Sequence, residues 1–151
     1  MTLLHKTDEY FRKRLIWQAT KHNLPAAYSF LYDDLPEATK TYLAAQIDME
    51  SAGIPVLFFT TPSQEWTLLC TRQLIGYNQG VYVLPLKEIT FITSKKRTSQ
   101  LAGDSRLPKG EWHELEVKDQ QEQIFLFHAH KGGEFFALWN LLLMMRRFNQ
   151  E

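Results

Sequence analysis

Apolar and polar positions change rhythm as the chain passes Ile54. Before it, the spacing is helical. Phe11, Leu15 and Ala19 fall on one stripe, Thr7 stands where a helix cap belongs, and Asp8 and Glu9 supply the acidic first turn that the helix dipole favours. Lys21 and His22 close that helix. Asn23-Leu24-Pro25 breaks it, and Pro25 suits the first turn of a short second helix, Ala26 to Tyr32. After the break Asp33-Asp34-Leu35-Pro36, a third helix is predicted from Pro36 to about Ser51, with Tyr42, Leu43, Ile47 and Met49 as its apolar contacts. Gly53 fits the position just past its end.

Beyond Ile54 the period shortens to that of strands. Val56 to Thr60 is an apolar run followed by the turn Thr61-Pro62-Ser63-Gln64. The stretch Glu65 to Thr93 then reads as two β-rich runs joined at Tyr77-Asn78-Gln79-Gly80, where Asn and Gly tolerate a tight reversal. Lys87-Glu88 interrupts before Ile89 to Thr93 resumes strand character. Ser94 to Gly110 has no apolar periodicity and reads as a long loop. Trp112 to Val117 and Ile124 to His130 are predicted strands around the turn Lys118 to Gln121, and Gly132-Gly133 opens a final helix from Glu134 to about Phe148. Helices, then strands with short turns, then one helix make an α+β pattern; no strand alternates with a crossover helix.

That final helix is apolar almost all round. Phe135, Leu138, Leu142 and Met145 form one stripe, Phe136, Trp139 and Leu143 a second, and Leu141, Met144 and Phe148 a third. So much exposed apolar surface is rare in a monomer, so a cover is expected. The N-terminal helices, through Phe11, Leu15, Ala19, Leu43 and Ile47, are the expected cover, with a homodimer as the competing one. The expectation is one domain over 1–151, with a helical section (1–53) packed on the rest (54–151).

Composition narrows the classes. The 151 residues are 44% hydrophobic and 23% charged, as in globular chains, and 17 basic residues balance 17 acidic ones. Zero net charge argues against a dedicated nucleic-acid binder. The single cysteine, Cys70, lies in an apolar run and is expected to be buried and inert, with no disulfide. No stretch is long enough for a membrane span and the N-terminus lacks the apolar segment of a signal peptide, so a cytoplasmic location is expected.

The run Thr67-Leu68-Leu69-Cys70-Thr71-Arg72-Gln73-Leu74-Ile75, followed by Val83-Leu84-Pro85-Leu86-Lys87-Glu88-Ile89, resembles the bacterial pleckstrin-homology-like (PH-like) domains over roughly residues 54–149. The resemblance implies a bent antiparallel β-barrel of about seven strands closed by the C-terminal helix. Six runs are visible, near residues 56, 68, 82, 91, 114 and 127, so the missing strand is expected within Ser94 to Gly110.

Candidate chemistry is sparse. No nucleophile motif, P-loop or acid–base pair can be assembled, which points away from an enzyme and implies no cofactor. His128 and His130 share one strand face and could join His113 at a metal, but the spacing fits surface histidines at a strand end better, and no metal site is assigned. The strongest binding candidate is the basic loop, with Lys95, Lys96, Arg97, Arg106 and Lys109. The leading expectation is a non-enzymatic binding or scaffolding module for a protein partner. The alternative is a small anionic ligand or lipid headgroup held by that loop.

Overall fold

The structure is a computed structural model that describes residues 7–95 and 112–150. Helix α1 (Asp8–Lys21) starts as the sequence predicts, with Thr7 Oγ1 accepting from Tyr10 N at 3.1 Å. The expected second helix is absent. Residues 29–31 instead form strand β1 (Ser29–Leu31), followed by a 3₁₀ turn at Tyr32–Asp34. The physical reason is tertiary. Ser29, Phe30 and Leu31 pair antiparallel with Phe59, Phe58 and Leu57, and this ladder outweighs local helix propensity.

The expected third helix splits into α2 (Glu37–Gln46) and α3 (Met49–Ala52). Ile47 is extended, and Asp48 caps the second piece by accepting from Glu50 N at 3.3 Å and Ser51 Oγ at 2.8 Å. Gly53 ends it at φ 80°, in contact with the hairpin that follows. A Cβ there would sit 2.1 Å from Thr71 Oγ1.

Strands β2 (Pro55–Thr60), β3 (Trp66–Cys70), β4 (Gln73–Tyr77) and β5 (Val81–Pro85) extend from β1 in the order β1-β2-β3-β4-β5, all antiparallel. The first β-rich run is therefore two strands. Thr71-Arg72 turns the chain between them, so β4 and β1 are strands beyond the six runs visible in the sequence. Of Ser94 to Gly110, where the missing strand was expected, Ser94 ends the strand Phe91–Ser94 and residues 96–110 lie outside the described residues. A second sheet has the order β6-β7-β8, from β6 (Phe91–Ser94), β7 (Glu114–Lys118) and β8 (Ile124–His128). Helix α4 (Gly133–Asn149) closes the described chain.

The architecture is α+β with two antiparallel sheets. The expected closed barrel is not found: among the described residues no ladder joins the sheets. Side chains bridge them instead. Thr67 Oγ1 donates to His128 O at 2.8 Å and accepts from His128 N at 3.1 Å, and Tyr82 Oη donates to Leu126 O. These contacts satisfy backbone groups on the edge of β8 that a closed ladder would otherwise have paired.

The larger sheet is apolar on both faces. Leu57, Phe59, Leu69, Leu74 and Leu84 point into a core shared with the second sheet, α1 and α4. Phe58, Trp66, Leu68, Cys70 and Ile75 form an outer core beneath Tyr32, Leu35 and Leu43. Leu43 thus covers the sheet and not the final helix, contrary to expectation, because strand alternation gave that sheet a second face to bury. Helix α1 does lie against α4. Tyr10 and Phe11 have ring centroids 6.0 and 5.8 Å from that of Phe148, and Trp112 covers Phe136 and Trp139 on another side at 6.1 and 6.4 Å. Arg72 ties α1 to the β3–β4 hairpin through a two-pronged contact with Asp8, Nε to Oδ1 at 3.0 Å and Nη2 to Oδ2 at 2.6 Å. Among the described residues no helix is long and apolar enough to cross a membrane.

Candidate functional site

Where β8 ends, a polar cleft of about 460 Å³ opens between the two sheets, with the β2–β3 and β4–β5 turns at its rim. Its position follows from local sequence. Thr61 to Gln64 reverses the chain with Gln64 N donating to Thr61 O at 2.9 Å, Gln64 itself at φ 75°. That turn delivers Glu65 to the cleft, where its Oε1 accepts from Thr61 Oγ1 at 2.5 Å. Asn78, from the β4–β5 turn, completes this side.

The opposite side comes from the second sheet. Glu114 and His128 are direct cross-strand partners on β7 and β8. His128 Nε2 lies 3.6 Å from Glu114 Oε2; the imidazole side chain is 4% exposed against 25% for the carboxylate. Thr67 locks the His128 backbone at both its N–H and its carbonyl. The ring Nδ1 is buried and, among the described residues, has no hydrogen-bond partner. Past the strand end, His130 packs against Tyr28 with ring centroids 4.3 Å apart, and Lys131 lies beyond it on the rim.

Burial dominates the electrostatics of His128. It holds the imidazole below its ordinary 6.5, against the opposing pull of Glu65 and Glu114 and with the help of His113. The ring is therefore neutral at pH 7. Glu65 and Glu114 present carboxylate acceptors to one cleft, which suits a ligand group rich in N–H donors.

The expected binding residues fare differently. Lys95 is exposed, directly after β6. Lys96, Arg97, Arg106 and Lys109 lie outside the described residues. The expected pair of surface histidines is corrected: His128 is buried, and His130 has left the strand. Burial of His128 follows from its place opposite Thr67, where the two sheets meet. Among the described residues no group of three or more His, Cys, Asp or Glu side chains could hold a metal ion. Cys70 is buried in the outer core, which pushes its thiol up to about 12. Sequence reasoning named His113, His128 and His130 but missed Glu65 and Glu114. The second becomes visible only through the strand register that sets it opposite His128. In comparisons with known proteins, the chain matches no family model and no curated protein.

Proposed function

We propose that this chain is a non-enzymatic binding module of PH-like build that holds a small, donor-bearing polar ligand, an amine or guanidine, in the cleft at the end of β8. The observation that carries this reading is the pair of carboxylates, Glu65 and Glu114, gathered in the cleft beside the buried His128. Two carboxylates in a concave site are what a binding pocket for N–H donors requires. The PH-like build is supported by four consecutive antiparallel strands (β2 to β5), then three (β6 to β8), then one helix. The non-enzymatic reading is supported by chemistry. Among the described residues His128 Nδ1 has no hydroxyl or thiol as a hydrogen-bond partner, and Cys70 lies in a separate core.

The test uses small alkylamines and alkylguanidines against carboxylates of the same size, read by the NMR signals of the His128 ring. Amines or guanidines should shift those signals with millimolar or tighter affinity, and Glu114→Gln should weaken them by about tenfold. Equal binding of carboxylates, or no shift with any probe, would sink the proposal. Loss of binding on neutralising Lys95, Lys96 and Arg97, with Glu114→Gln harmless, would return the site to the basic loop.

A further inference from the structure

Strand β5 is one edge of the larger sheet, and among the described residues it pairs with β4 alone. The opposite edge is protected: β1 is three residues long, and Glu134 accepts from Tyr28 N and Ser29 Oγ at its start. The edge of β8 is occupied by Thr67 and Tyr82. Among the described residues no such device protects β5. From Gln73 to Leu86, the fourteen residues of the β4–β5 hairpin and its margins carry no charged side chain. Natural edge strands usually hold a lysine or another charge to prevent pairing with further strands. Pro85, which has no N–H, limits such pairing to the residues before it.

The outer face of this edge is also apolar. Val81 and Val83 are 37% and 39% exposed. Val81 pairs with Tyr77, whose ring stacks on Trp66 at 5.7 Å, and Trp66 meets the exposed Tyr42 edge-on at 6.1 Å. An apolar strip thus runs from the free edge to helix α2.

We propose that β5 is the contact of a two-fold homodimer in which two β5 strands pair antiparallel and join the larger sheets into one. The charge pattern selects a second copy over a foreign strand. A two-fold axis sets residue i against j and j against i, so edge side chains close to the axis lie near their own copies and a charge there would meet its like. An edge without charge is the one that can pair with itself, and antiparallel pairing sets valines against valines.

Sedimentation velocity on the full chain between about 1 and 100 μM is the test. The unmodified chain should self-associate. Val83→Lys and Val83→Glu, each at a partly exposed position, should each weaken association by about tenfold or more, and an equimolar mixture should restore it. Amide exchange on the unmodified chain gives a second readout: β5 N–H groups should gain protection as concentration rises. A monomer throughout, β5 exchange that ignores concentration, or a dimer unaffected by either charge would each overturn the proposal. The last result would place the contact on another surface.

Discussion

His128 shows how one residue can set a pH response. Its native ring is held below 6.5 by burial, so the unfolded chain takes up a proton first as pH falls. Stability from this residue is complete above about pH 6.5 and is lost as pH drops towards the lower native value. Denaturant titrations from pH 7.5 to 5 should therefore show falling stability, and His128→Asn should flatten that slope. Asp8 acts in a separate range. Arg72 hydrogen bonding, then Thr71 and the Arg72 charge, hold it below 3.8 against burial, so its contribution persists until pH falls through the carboxylate range. At Cys70, burial leaves the thiol protonated at neutral pH. A thiol reagent should label it only as fast as the native state opens, with rapid stoichiometric labelling as the contrary result. Gly76 is a steric case: a Cβ there would come within 2.6 Å of the Tyr82 ring. Gly76→Ala should displace the ring from its contact with Leu126 and destabilise the fold by about 1–3 kcal/mol in a urea melt.

Among the elements, legibility followed how local the cause was. Helix α1 could be read because its cap, acidic first turn and apolar stripe all lie within its own residues. Helix α4 was equally legible from Phe135 to Phe148. Strand β1 was not, since its ladder partner is β2, some thirty residues later. The Thr71-Arg72 reversal was hidden for another reason: Cys70 to Ile75 is uninterrupted by glycine or proline, and the turn is held by Arg72 reaching Asp8 and Glu50 O. The cleft was half legible. Its histidines stand close in sequence, but Glu65 and Glu114 reach it only through the stacking of two sheets. At this junction Gly53 is the residue to change. Gly53→Ala forces a side chain into a positive-φ position and against Thr71, whose Oγ1 accepts from Ile54 N and donates to Asp8. A loss of about 1–3 kcal/mol is expected, measured as a lowered urea midpoint with unchanged slope.

For the whole molecule, the first fifty residues supply both a strand and a cover. Without them the larger sheet loses β1, and Phe58, Leu68 and Trp66 lose Tyr32, Leu35 and Leu43 above them. Deleting residues 1–52 should give an aggregating product in sedimentation, and a folded monomeric remainder would contradict the packing described. The tie between Glu134 and β1 has a consequence in time. Glu134 accepts from Tyr28 N at 3.1 Å across a separation of 106 residues, and from the Ser29 hydroxyl beside it. During synthesis, β2 can meet β1 long before Glu134 has been made. On the ribosome the first strand can therefore be paired before it is fastened, and helix α4 supplies the fastening.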